Sequence, residues 1–143
     1  MQVFEIEIGL PVPVPRLRDH VQAGFPSPAD DFVEAQIDLQ QLLIANRAAT
    51  FLVRVEGDSM IEKRLHDGDL AVVDRSLQPR NGDIVVVDID GNRSFKVWSQ
   101  AGGRIGLSFA NRRYSAFLLP RDATVEVWGV VSSSISHGRR ADR

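Results

Sequence analysis

A compact, curved, mainly β fold is the architecture that this sequence predicts, on three observations. Short runs rich in β-branched residues recur from Thr50 to Val131. Turn-forming clusters separate them: Asp67-Gly68-Asp69, Asn81-Gly82-Asp83 and Asp90-Gly91. Helix-like patterning is confined to residues 27–44. Many short strands joined by regular turns make a β domain, not an alternating α/β one.

Residues 1–26 read as an extended N-terminal arm. Pro11-Val12-Pro13-Val14-Pro15 excludes a helix, because proline lacks the amide donor and pushes the preceding residue toward extended backbone. Gly24-Phe25-Pro26-Ser27-Pro28 is a second break of the same kind. Leu17 to Ala23, between them, fits an extended segment or one helical turn. A helix is expected next: Ser27 caps it, Pro28 suits its first position, and Asp30 and Asp31 complement its positive end. Phe32, Val33 and Ile37 would form its apolar stripe. Asp38 followed by Gln41 signals a second, short helix through Ile44.

The expected strands are Thr50–Val55, Leu70–Val73, Ile84–Ile89, Ser94–Trp98, Arg104–Leu107 and Val125–Val131. Asp90-Gly91 predicts a tight hairpin between the third and the fourth. The organisation expected is an arm over 1–26, a helix plus β-rich domain over 27–135, and a frayed tail over 136–143.

Composition narrows the function. With 143 residues, 43% of them hydrophobic, the chain can bury one core. A formal net charge of −2 argues against direct, sequence-specific DNA binding, though not against contact with a protein that coats DNA. Cysteine is absent, which excludes disulfides, thiol nucleophiles and cysteine-based zinc sites. Met1 to Ile8 carries acids and no early base, unlike a secretory signal, and no run has the length of a membrane helix. The expectation is a cytoplasmic protein with no membrane contact.

The chemistry concentrates in a turn and a strand. Gly57-Asp58-Ser59-Met60 presents a serine in a glycine-led turn, and Lys96 stands alone in an apolar strand. Taken singly, the triplet is ordinary loop chemistry and the lysine an ordinary strand side chain. As a pair they can supply a nucleophile and a base without histidine. Strand alternation puts Phe95 and Val97 on one face, and Lys96 on the other with Ser94 and Trp98. Lys96 would then lie against an aromatic wall, where loss of water lowers its pKa from about 10.4 toward a useful range. Backbone N–H groups at or beside Ser59 would receive the oxyanion. Ala23-Gly24, small on both sides of the bond, offers a substrate within the same chain.

Other constellations are weaker. His20, His66 and His137 lack metal-ligand spacing, and Asp67-Gly68-Asp69 lacks the remaining calcium-loop ligands. No phosphate-binding glycine loop is present, so no cofactor or metal is implied. Arg112-Arg113 and Arg139-Arg140 read as solvated basic pairs.

Several ordered motifs together resemble the UmuD/MucA proteins, within the wider LexA-like self-cleaving peptidases. They are the run from Val21 to Asp30, Gly57-Asp58-Ser59-Met60, Asp67-Gly68-Asp69-Leu70, Gly82-Asp83-Ile84-Val85, Lys96 and Val127-Trp128-Gly129-Val130-Val131. The resemblance covers roughly residues 17–131. It implies a fold of the LexA/signal-peptidase catalytic type, with Ser59 as nucleophile, Lys96 as general base and Ala23-Gly24 as the scissile bond. It further implies a homodimer, cleavage stimulated by a RecA–single-stranded DNA filament, and service of the product to a UmuC-type translesion DNA polymerase in the SOS response. Two departures stand out. Val97 follows Lys96 where relatives often carry a second base, and Glu62-Lys63-Arg64-Leu65 is bulkier and more charged than the family's loop.

Three rivals remain at this level. A LexA-type repressor needs a helix-turn-helix, for which the proline-broken arm has no room. A signal peptidase needs a membrane anchor. A non-catalytic dimeric adaptor of a translesion polymerase, in which Ser59 and Lys96 are relics, is compatible with the same residues.

Overall fold

The computed structural model describes residues 2–6, 9, 13–17, 23, 24 and 33–139. It divides into two compact units, one of Met1–Ile6 with Asn46–Arg143 and one of Glu7–Ala45. The fold is mainly β, as expected.

The Glu7–Ala45 unit holds a two-stranded antiparallel sheet of β2 (Pro13–Leu17) and β3 (Val33–Asp38), followed by α1 (Leu39–Leu43). Prolines 13 and 15, at alternate positions, remove donors from one strand edge only and leave the other free to pair. The first expected helix is corrected here. Its cap at Ser27 and Pro28, and Phe32 of its stripe, lie outside the described residues, but Val33 and Ile37 belong to β3. Ile37 pairs with Val14, so a cross-strand partner overrides a helical spacing that a single proline-led cap supported. The short second helix is present: Asp38 caps α1 by accepting from the Gln40 N–H at 3.0 Å, and Ile44 closes it.

The larger unit is built on a seven-stranded antiparallel sheet in the order β1-β4-β5-β9-β6-β7-β8. Its strands are β1 (Gln2–Glu5), β4 (Thr50–Arg54), β5 (Leu70–Asp74), β6 (Ile84–Ile89), β7 (Asn92–Ala101), β8 (Arg104–Ser108) and β9 (Val125–Ile135). Every strand expected from Thr50 onward is present, several longer than their β-branched cores. β1 carries no such signal and is held at the edge by β4. In the β6–β7 hairpin Asp90 (φ 51°) and Gly91 (φ 85°) both adopt left-handed backbone, which the Asp-Gly pair favours. Residues 136–139 are exposed and outside any strand.

Val85, Val86 and Val87 are all fully buried, because apolar clusters cover both sides of the sheet at β6. Val53, Val55, Met60, Leu65, Val73, Val86 and Phe95 form the larger cluster; Val85, Val87 and Val130 form the smaller. Register shifts in both pairings of β9 bend the sheet there. Beside them a Cβ on Gly129 would stand 2.5 Å from Val73 Cγ1, so only glycine fits the crossing. No helix among the described residues is long and apolar enough to cross a membrane.

Candidate active site

The Ser59 turn follows β4 and is fixed by its carbonyls and its neighbours' side chains. Gly57 supplies the positive φ (86°) that reverses the chain, and its N–H donates to Asp67 Oδ1 at 2.7 Å. Asn111 Nδ2 donates to the Asp58 carbonyl at 2.9 Å, and the Ala110 N–H to the Ser59 carbonyl at 2.8 Å. The Tyr114 hydroxyl donates to Asp58 Oδ1, a bond that raises the tyrosine pKa. Met60 is buried in the larger apolar cluster and pins the far side of the turn. Among the described residues the backbone N–H groups of Ser59 and Met60 have no acceptor, and Ser59 Oγ has no hydrogen-bond partner.

The bulky loop that departs from the family pattern is tied down. Ile61–Lys63 makes a 3-10 turn, Arg64 takes left-handed backbone (φ 62°) and Leu65 drops into the core. Glu62 Oε2 accepts from the Arg112 N–H (3.1 Å) and Nε (3.0 Å), and those bonds lower its pKa. Lys63 Nζ donates to the Gly82 carbonyl at 2.7 Å. Glu62 and Lys63 therefore have partners on neighbouring loops. The turn pair found in the sequence serves the same end: Asp69 Oδ2 accepts from the His66 N–H, and Asn81 Oδ1 from the Gln100 N–H.

Lys96 lies in the middle of β7 and is only 5% exposed. Its Nζ donates to Ser94 Oγ at 2.6 Å and to the Phe95 carbonyl at 3.3 Å. Ser94 and Lys96 share a strand face, as alternation required. Burial pushes the Lys96 pKa below the ordinary lysine value. Two acceptors and two ring faces favour the ammonium form and act against that shift. The rings are Phe109 and Phe117, centred 5.1 and 4.8 Å from Nζ. The expectation that Trp98 forms the aromatic wall is corrected: it packs on the Val85–Val87–Val130 cluster, with Nε1 donating to Gln100 Oε1. Strand alternation gives the face of a side chain, whereas the long lysine stem is covered by chain returning after β8.

Ser59, Ser94, Phe95, Arg54, Glu56 and Arg93 line one cleft of about 170 Å³. The structure thus places Ser59 in a shared cleft with the residue that holds Lys96 Nζ. It does not join the two directly: no hydrogen bond links Ser59 to Lys96 among the described residues. Ala23 and Gly24 form an exposed bend in the Glu7–Ala45 unit. Ser94, Phe109, Asn111, Tyr114 and Phe117 were not assigned a role from the sequence. Only Ser94 carried a signal, its two-residue spacing from Lys96; the other four stand in or beside an irregular loop, where no periodicity exists to read.

Comparison with known proteins is consistent over most of the chain. The family model described as "Peptidase S24-like" matches residues 15–132. Protein SamA of Salmonella typhimurium is 42% identical over 128 residues, 90% of this chain and 89% of that protein. Protein MucA of Escherichia coli is 36% identical over 123 residues, 85% of this chain and 84% of its own length. LexA repressor 1 of Xanthomonas axonopodis is 36% identical over 118 residues, 82% of this chain and 58% of the repressor.

Proposed function

The chain belongs to the Peptidase S24-like family, in its UmuD/MucA and LexA-like branch, and from that membership we propose that it is a self-cleaving serine peptidase that cuts its own Ala23–Gly24 bond. The observation that carries the reading is the buried Lys96, its pKa lowered by burial and its Nζ held by Ser94 on the rim of the cleft that contains Ser59.

In this mechanism the exposed Ala23–Gly24 bend is the substrate that the Ser59 cleft receives. The neutral Lys96 amine turns from Ser94 to Ser59 and takes the hydroxyl proton as Oγ attacks the Ala23 carbonyl carbon. The carbonyl oxygen becomes an oxyanion, toward which the Ser59 and Met60 N–H groups, without acceptors among the described residues, are available donors. Lys96 returns its proton to the leaving Gly24 amine as the Ala23–Gly24 bond breaks. Water, activated by the same amine, then releases Ala23 from Ser59. Catalytic hydrogen bonds often form only in the reacting complex, so the Lys96–Ser94 bond is compatible with this sequence.

The wider role follows the family. A RecA–single-stranded DNA filament stimulates the cut by favouring the docked arm, and the shortened product serves a UmuC-type translesion polymerase in the SOS response. The protein works as a homodimer. Supporting that state, β6 pairs with β9 only as far as Val130, which leaves Val131–Ile135 with an edge unpaired among the described strands.

Purified protein incubated across neutral to alkaline buffers and read by mass spectrometry tests the cleavage. The expected product begins at Gly24. A new N-terminus elsewhere overturns the bond assignment, and an intact chain at every pH favours the non-catalytic adaptor.

A further inference from the structure

One short segment after β8 touches both halves of the candidate site. The Phe109 ring lies 5.1 Å from Lys96 Nζ. The Ala110 N–H bonds the Ser59 carbonyl at 2.8 Å, and the Ala110 carbonyl accepts from the Glu62 N–H at 2.8 Å. Asn111 is 4% exposed and uses both ends of its amide: Oδ1 accepts from the Arg113 N–H at 3.0 Å, while Nδ2 crosses to the Asp58 carbonyl at 2.9 Å.

Those two crossing bonds act on particular peptide planes. In a trans peptide the C=O of one residue points opposite to the N–H of the next. Fixing the Asp58 carbonyl on Asn111 therefore aims the Ser59 N–H, and fixing the Ser59 carbonyl on Ala110 aims the Met60 N–H. Both belong to the run of N–H groups from Asp58 to Ile61 that has no acceptor among the described residues, and they are the two whose peptide planes are held by the Asn111 and Ala110 bonds. A turn needing only to reverse the chain has no use for both planes being held from behind.

We propose that Asn111 is a positioning residue for the oxyanion donors: through the Asp58 carbonyl it orients the Ser59 N–H, and with it the serine itself, into the cleft. This rests on the peptidase reading, because the oriented groups matter only if a tetrahedral intermediate forms there. Asn111 touches no reacting atom. Its side chain is the donor half of a joint between two loops 53 residues apart in sequence.

The test compares self-cleavage across pH for the wild type, Asn111→Ala and Asn111→Asp, with melting curves to set the folded fraction. Labelling of Ser59 by a small fluorophosphonate is measured in parallel, since it needs no docked arm. Asn111→Asp keeps the volume and the Oδ1 turn bond but offers the Asp58 carbonyl no amide donor, so it decides the matter if the alanine variant unfolds. Per folded molecule, the plateau rate and the labelling rate should both fall about ten- to a hundredfold, the scale of a misaimed oxyanion donor. The pH midpoint should stay with the wild type, because the surroundings of Lys96 are unchanged. A folded variant with wild-type plateau and labelling overturns the proposal, as does a loss that appears only as a moved midpoint. A wild type that neither cleaves nor labels removes the peptidase reading instead.

Discussion

Two turns of similar composition stand side by side after β4 and before β5, and they use their polar groups in opposite ways. In Asp67-Gly68-Asp69 the groups face inward. Asp67 Oδ1 accepts from the Gly57 N–H, Asp69 Oδ2 from the His66 N–H, and the Gly68 N–H meets the Val55 carbonyl at 2.8 Å. In Gly57-Asp58-Ser59-Met60 the Asp58, Ser59 and Met60 carbonyls and the Asp58 carboxylate are bonded, while Ser59 Oγ and the three successive N–H groups of Asp58, Ser59 and Met60 have no partner among the described residues. The first arrangement is what a turn needs to close a fold. The second holds a loop rigid by its acceptors and keeps its donors and hydroxyl available, which is the arrangement that an attacking serine requires.

If that contrast is functional, changes in the two turns separate chemistry from stability. The largest effects belong to the chemical groups. Ser59→Ala and Lys96→Arg should each reduce self-cleavage per folded molecule by several orders of magnitude, since one removes the nucleophile and the other cannot be deprotonated, and Ser59→Ala should do so with little change in melting temperature. Gel quantitation of the fragment checks both; a Ser59→Ala protein that still processes itself would place the nucleophile elsewhere.

The pH dependence comes next. Only the neutral amine accepts a proton, so the wild-type rate should rise with pH through the lowered Lys96 pKa and then level off. Stability has a matching sign. Between the lowered folded value and the unfolded value of about 10.4, the unfolded chain binds a proton that the folded one does not, so stability rises with pH across that window. Lys96→Met should therefore melt above the wild type at neutral pH, by a margin that shrinks as the buffer becomes alkaline. A margin that widens instead would contradict the cost of the buried charge.

Smaller effects are expected from the structural turn. Asp69 is 5% exposed and serves the His66 N–H, so Asp69→Ala should cost about 1–3 kcal/mol in denaturant unfolding. Cleavage per folded molecule should survive. Smallest of all, Gly68→Ala meets no atom within 4 Å and suffers only from its φ of 87°, a strain of about 1–2 kcal/mol. If Asp69→Ala abolished cleavage in a folded protein, the division between the two turns would fail.

Much of this was legible in the sequence where the signal is local. The runs Leu70–Val73 and Ile84–Ile89 announced strands because β-branched side chains suit a pleated, buried surface, and Asp90-Gly91 announced a hairpin because its backbone demands positive φ at both positions. Ser59 and Lys96 were nameable because a glycine-led turn and a lone lysine among apolar neighbours are themselves local patterns. The strand at Val33–Asp38 was missed because its stabilising partner lies at Pro13–Leu17, and no window around Ile37 contains Val14.

The sequence by itself determined the β character, the positions of the turns and the residue types of the site. Those properties follow from backbone preferences and two-residue alternation, which each short segment carries alone. Only the tertiary structure decided that Phe109 and Phe117, not Trp98, enclose the Lys96 amine, that Ser94 holds it, and that Asn111 reaches the Asp58 carbonyl. These contacts join loops whose separation along the chain leaves no periodic trace. They form because the antiparallel order β9-β6-β7-β8 returns the chain after Ser108 across the turn that follows β4, and a buried amide or amine there must find its partners or lose the hydrogen bonds it had in water.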